Sequence, residues 1–191
     1  SLESAVELLV KLRETTGNAL SAFEYMDREC IEVLIDQMDI NDIFDQKYEH
    51  YALLELSSSA ENASLQLLLE DSISSEIINN NINDAIVASS ETQAAQFWNL
   101  RETLPLALKS LGRFVTFDIS VPISLLPQLI DEAKKKCNEV SKNSRSIVFG
   151  HVGDGNIHYY LFTPSEISKD EFLNIKHKVK SSIYDITAKL D

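Results

Sequence analysis

Three of the five glycines in this 191-residue chain, Gly150, Gly153 and Gly155, fall within six positions. They lie between Ser146–Phe149 and Ile157–Phe162, two short runs rich in β-branched and aromatic residues. That pattern dictates an antiparallel hairpin, because such runs form strands and Asp-Gly supplies the positive φ of a tight reversal. With Asp154-Gly155 at the centre of a two-residue type I′ turn, Gly153 pairs with Asn156, Val152 with Ile157 and His151 with His158. Phe149 and Tyr160 follow on the same face. Directly opposed side chains stand about 5 Å apart. Two imidazoles so placed can chelate one divalent cation, each at about 2.0–2.1 Å. One bulge at Gly150 or Gly153 would shift the register.

Around this hairpin the chain alternates helical and strand patterns. Residues 2–16 carry apolar residues at helical spacing (Leu2, Val6, Leu9, Leu12) and stop at Gly17-Asn18. Ala19–Met26 reads as a strand, followed by a helix over 28–39 with Asp27 as its cap. Tyr48–Leu56 is a second strand. Ser57-Ser58-Ser59 opens a helix of about 59–79, with Leu65, Leu67, Leu68 and Leu69 in its core stripe. Asp84–Ala88 reads as a short strand. Ser89-Ser90-Glu91 starts a helix to about Leu111, interrupted or kinked at Pro105. Phe114–Val121 alternates as a strand and Pro122 ends it. Helices over 124–142 and 168–190 complete the series. The expected class is α+β: a largely antiparallel sheet with helices packed on one face and ferredoxin-like β-α-β repeats, residues 1–191 forming a single domain.

Composition narrows the function. Seventeen basic against thirty acidic residues give a net charge of −13. Nucleic-acid binding wants a basic face, and Lys134-Lys135-Lys136 reads as a solvated helix surface. Cys30 and Cys137 lie in separate expected helices with no Cys-x-x-Cys, which argues against a zinc–thiolate site and suits a reducing, cytoplasmic setting. Asn62-Ala63-Ser64 is a formal glycosylation acceptor, read as a chance match. No apolar run approaches the ~20 residues of a membrane span, and no signal peptide is visible. The start at Ser1 and the unclosed last helix read as fragment edges.

His151 and His158 are the candidate metal ligands; two histidines that merely flank a turn are the alternative. A catalytic divalent site usually has three protein ligands and an open position. Asp154, at the tip of the turn, points away, and spacing assigns no third ligand. His50 and His177 have no such context and read as surface or core residues.

The stretch His151-x-Gly153-Asp154-Gly155-Asn156-x-His158 resembles the HxGDGNxH signature of the FAD-linked oxidase C-terminal domain. This family includes D-lactate and D-2-hydroxyglutarate dehydrogenases and the glycolate oxidase catalytic subunit. Ala22-Phe23-Glu24-Tyr25-Met26-Asp27, Tyr51–Leu56, Trp98-x-x-Arg101-Glu102 and Asp118-x-Ser120-Val121-Pro122 agree in order, so the resemblance covers essentially the whole chain. It implies the substrate-binding cap of an FAD-dependent dehydrogenase that oxidises a D-2-hydroxy acid to a 2-oxo acid. FAD would be held by an N-terminal domain of the full-length chain. His151 and His158 would ligate a zinc or manganese ion that the substrate carboxylate and α-hydroxyl also chelate. Arg101 would pair with a substrate carboxylate, the alternative being a surface helix arginine in a local ion pair. Trp98 reads as core.

The sequence departs from the family pattern at three substrate-side positions. Thr116 stands where relatives selective for dicarboxylic acids carry Lys, Pro105 where they carry Thr, and Tyr160 where many carry Asn. Tyr160 thereby joins Arg101 as an expected substrate-binding residue, and 2-hydroxyglutarate is disfavoured. Family members continue into a Gly-rich strand with Glu-His, the third ligand and a base. That segment and the FAD domain lie outside residues 1–191, so no dehydrogenase activity is expected of this chain by itself. The expected partners are a small 2-hydroxy acid and the FAD domain, and a homodimer is compatible with the reading. A metal- or small-acid-binding domain without redox chemistry, or a structural domain with an incidental His pair, are the other readings.

Overall fold

Three serines open three helices. Ser1, Ser90 and Ser168 each accept a hydrogen bond from the backbone N–H three residues on, of Ser4, Gln93 and Glu171. Each thereby satisfies one of the donors that a helix start leaves unpaired. The computed structural model describes residues 1–38, 40–59 and 64–191. Its helices are α1 Leu2–Thr16, α2 Arg28–Met38, α3 Leu65–Ile78, α4 Glu91–Lys109, α5 Leu126–Val140 and α6 Lys169–Leu190. Its strands are β1 Leu20–Asp27, β2 His50–Leu56, β3 Phe114–Ser120, β4 Arg145–Gly150 and β5 Asn156–Phe162.

The strands form one sheet in the order β2-β1-β4-β5-β3, every neighbouring pair antiparallel. Both β3 and β4 are antiparallel to β5, which lies between them. Helix α5 therefore links two parallel strands separated by a third, the split β-α-β unit of ferredoxin-like folds. In β1–α2–β2 the two strands are direct antiparallel neighbours. The expected α+β fold with an antiparallel sheet is thus present.

Strand alternation sends neighbouring side chains to opposite faces, and both faces are covered. Tyr25, Val148, Tyr159 and Phe117 join the larger core cluster with α1 (Leu9, Leu12), α5 (Leu126, Leu129) and α6 (Val179, Ile183). Met26, Ile147, Phe149 and Phe162 join a second cluster with α2 (Ile31, Leu34) and α4 (Leu104, Leu108). The layer of three helices answers the expected one-sided packing, and α2 and α4 close the opposite face as well. That second face carries the site described below.

Several local expectations are corrected. Residues 84–88 form no strand; the Asp84 side chain bonds the next backbone N–H, of Ala85, instead of leaving it to a ladder. In α3, Ile73 is the buried apolar residue, while Leu67 is exposed and Leu65, Leu68 and Leu69 are half-buried. Trp98 is half-buried rather than core and donates to Glu55 Oε2 at 2.6 Å. Pro105 lies inside α4, which runs on to Lys109. Ser57-Ser58-Ser59 open no helix; the third helix begins at Leu65. The end of the second helix at 39 and the Asn62-Ala63 part of the acceptor triplet lie outside the described residues. Both cysteines are buried free thiols. No helix among the described residues is long and apolar enough to cross a membrane.

Candidate functional site at the histidine pair

The hairpin is real, but its turn is longer than a two-residue reversal. Residues Val152–Asp154 form one 3-10 turn, and Gly155 takes the left-handed conformation at φ 79°. A type I′ turn needs positive φ at both central residues. Asp154 is not among the residues with positive φ, which Gly155 alone supplies here. The His151 carbonyl accepts from Asp154 N–H at 3.0 Å and from Asn156 N–H at 3.2 Å, closing a wider loop. The strand register consequently moves by two residues: Phe149 faces His158 and Ile147 faces Tyr160. His151 leaves the strand instead of opposing His158. The two rings still meet, edge to face, with centroids 5.5 Å apart.

Glycine makes this turn fit. A Cβ on Gly150 would lie 2.5 Å from the Asn156 carbonyl oxygen and 2.8 Å from Ile157 Cα. A Cβ on Gly155 would overlap the Val121 carbonyl. Arg13 of α1 donates to the Gly153 carbonyl and ties the loop down from the other side of the sheet.

Each imidazole has a carboxylate at its Nδ1. In β1, Tyr25 pairs with Gly150 and Met26 with Phe149. One step further along this register Glu24 stands beside His151, and Glu24 Oε1 is hydrogen-bonded to His151 Nδ1. Asp118 of β3 faces His158 directly. Its Oδ1 lies 3.5 Å from His158 Nδ1 and accepts from Asn156 Nδ2 at 2.7 Å. Burial holds the His158 imidazole below the usual histidine range, and the Asp118 carboxylate opposes that shift.

Arg101 arrives from α4, one turn before Leu104 and two before Leu108. It is buried, not a surface arginine, and its Nε donates to Glu24 Oε2 at 2.7 Å. Its guanidinium carbon lies 4.7 Å from the centroid of the Phe149 ring, in cation–π contact. The Nε bond is its only hydrogen bond among the described residues, so both Nη groups remain available to an anion. Tyr160 lies on the His158 face of β5, its ring stacked on Phe149 at 5.6 Å and on Phe162 at 6.3 Å. Four of the sequence candidates are therefore neighbours: His151, His158 and Arg101 converge, and Tyr160 borders them through Phe149.

Glu24 is the site residue that sequence reasoning missed. Its signal was present, since an acid inside the apolar run Phe23-Glu24-Tyr25-Met26 must be partnered once the strand is buried. The Glu24 side chain is 4% exposed and that of His151 49%. The cluster thus runs from a buried acid to a half-open imidazole, and neither of the cavities near β2 and Asp27 includes the histidine pair. His50 accepts or donates at Tyr25 OH over 2.7 Å, and His177 is exposed on α6.

No group of three His, Cys, Asp or Glu side chains among the described residues is arranged to hold a metal ion. The pair itself is compatible with one. A metal-bound imidazole has its centroid about 3.2 Å from the ion, which puts two rings on one tetrahedral ion roughly 5 Å apart. The observed 5.5 Å is close to that value. In both rings Nδ1 is the nitrogen turned to a carboxylate, leaving Nε2 for a ligand.

The chain is 27% identical over 191 residues to a protein named "Probable D-2-hydroxyglutarate dehydrogenase, mitochondrial" from Oryza sativa subsp. indica, covering 97% of this chain and 32% of that protein. It is 29% identical over 170 residues to a mitochondrial D-2-hydroxyglutarate dehydrogenase from Danio rerio, covering 87% and 30%. It is 26% identical over 170 residues to a D-2-hydroxyglutarate dehydrogenase from Stutzerimonas stutzeri, covering 89% and 36%. The chain spans about a third of the length of these relatives. The family model described as "FAD linked oxidases, C-terminal domain" matches residues 1–189. With that match over nearly its whole length, the chain belongs to the FAD-linked oxidase C-terminal domain family.

Proposed function

We propose that this chain is the substrate-side domain of an FAD-dependent dehydrogenase that oxidises a D-2-hydroxy acid to the 2-oxo acid. The observation that carries the reading is the convergence of an anion-binding group and a ligand pair. Arg101, with both Nη groups open, is joined through the buried Glu24 to His151, whose ring meets that of His158. An α-hydroxy carboxylate presents the matching chemistry, a planar anion next to a hydroxyl.

In this reading His151 and His158 supply two ligands of a divalent ion, zinc or manganese, through their Nε2 atoms. When bound, such an ion acts as a Lewis acid toward the substrate hydroxyl. An FAD held by another domain of the full-length protein would be the acceptor for the hydride from C2. Arg101 clamps the carboxylate and fixes the orientation of C2. The Phe149 and Tyr160 rings form the apolar floor beneath the guanidinium and His158. Oxidation must also pass the hydroxyl proton to a base, and none of these residues is assigned that role; with neither that base nor the flavin supplied by residues 1–191, no dehydrogenase activity is expected of the chain by itself.

The relatives are named for a dicarboxylic acid, whereas Thr116 stands two residues before Asp118 on the same strand face, facing Tyr160 across the pair. A neutral hydroxyl there gives a distal carboxylate no charge partner. Monocarboxylic 2-hydroxy acids are therefore our preferred substrates.

The test has two parts. Zinc and manganese are titrated calorimetrically into this chain and into His151→Ala and His158→Ala. One-to-one binding lost in both variants supports the site, and binding that survives both changes overturns it. D-lactate and D-2-hydroxyglutarate are then compared as reductants of the flavin in the full-length protein. Faster bleaching by D-2-hydroxyglutarate would overturn the monocarboxylate preference.

A further inference from the structure

We infer that Glu24 is a positioning residue that fixes both working groups of the site at once. This rests on the reading of His151 as a ligand and Arg101 as the anion clamp. One carboxylate serves two donors, Oε1 facing His151 Nδ1 and Oε2 accepting from Arg101 Nε. An ionised carboxylate can only accept hydrogen bonds. The proton of a neutral His151 is therefore on Nδ1, and Nε2 is left bare, the form in which imidazole binds a metal or a proton donor. The same carboxylate engages Arg101 through Nε alone and leaves the Nη pair for a planar anion.

Burial separates Glu24 from the other carboxylate of the site. The Glu24 side chain is 4% exposed and that of Asp118 70%. Asp118 is mostly exposed and 3.5 Å from its histidine, so it steers His158 loosely. Glu24 is nearly fully buried, and His151 and Arg101 are its hydrogen-bond partners among the described residues. Its place in β1, between the core residues Phe23 and Tyr25, anchors it to the sheet and not to a loop. The helix carrying Arg101 and the turn carrying His151 are thus indexed to a single rigid strand.

Glu24→Gln separates the two roles sharply. Arg101 only donates, so the amide oxygen must face it. The amide NH2 is then left facing His151 and donates to Nδ1, which drives the imidazole proton onto Nε2. The experiment reads the His151 tautomer by imidazole nitrogen NMR on the metal-free chain, at a pH where the ring is neutral, together with the zinc dissociation constant. Expected is the Nδ1–H tautomer in the wild type and the Nε2–H tautomer in E24Q, with zinc affinity about 10–100-fold weaker in the variant. A wild-type ring that is mainly Nε2–H overturns the inference, and this measurement needs no variant to fold. An unchanged tautomer in E24Q, with zinc affinity within about threefold of wild type, overturns it too. If the wild type binds no zinc but the tautomer inverts in E24Q, the metal reading falls and the positioning role of Glu24 stands.

Discussion

Gly150→Ala probes whether the narrow β4–β5 approach sets the site. The added Cβ would be 2.5 Å from the Asn156 carbonyl oxygen and 2.8 Å from Ile157 Cα. Both are backbone atoms of β5, so no side chain can swing aside. Restoring ordinary contact requires the strands to part by most of an ångström just where the histidine turn begins. Overpacking of a well-packed interior costs about 1–3 kcal/mol, and a backbone-on-backbone overlap belongs at the upper end, about 3 kcal/mol. For a chain of this size that lowers Tm by roughly 6–12 °C. Gly153→Ala is the internal control. Its Cβ would meet nothing closer than Phe23 Cβ at 3.7 Å, and its φ is not in the left-handed range. Urea denaturation of both variants, with His151–His158 contacts followed by NMR, reads the difference. Gly150→Ala within about 1 kcal/mol of wild type would refute the argument that this approach is tight. So would a Gly153→Ala loss as large as that of Gly150→Ala.

Other outcomes follow from the same packing. Burial pushes the Asp27 carboxyl up to about 6, against the Lys134 charge and hydrogen bonds from Cys30 and Val148. Because the folded state then binds the proton more tightly than the unfolded chain, Asp27 favours folding below pH ~4, and that contribution is lost as pH rises through ~6. The loss is on the order of 3 kcal/mol, and stability curves of wild type and Asp27→Asn that run parallel between these pH values would count against it. Leu108→Ala in α4 empties a fully buried position of the second core, and a loss of about 2–5 kcal/mol by urea denaturation is expected. Arg101→Lys keeps the charge but not the planar fork. It cannot hold Glu24 through one nitrogen while offering two to an anion, so D-lactate binding in the zinc-loaded chain should weaken by at least about tenfold.

The hairpin, the helix starts at Ser90 and Ser168 and the histidine pair were legible in the sequence because their causes are local. Alternation at Phe114–Ser120 makes a strand wherever it lies, and a serine before an amphipathic run caps a helix. Asp84–Ala88 misled for the same reason: its Ala-Ile-Val looks like a strand, but a strand exists only if another lies beside it, and none does. The alternation also could not tell which faces are covered. Met26, Ile147 and Phe149 read as apolar whether α2 and α4 pack on them or not.

The sequence by itself determined that His151 and His158 flank a tight reversal and that an acid sits within an apolar strand. Tertiary structure decided everything that joins residues far apart in the chain. Glu24 and His151 are 127 positions apart, and Glu24 and Arg101 77. They meet because β4 pairs with β1 and α4 lies over that face. Even the hairpin register needed the fold: the opposed-histidine geometry failed because Asp154 keeps negative φ in a loop tied to α1 and Val121. The rings still come together, His151 held at the buried Glu24 of β1 and His158 opposite Asp118 of β3, and no spacing along the chain encodes either pairing.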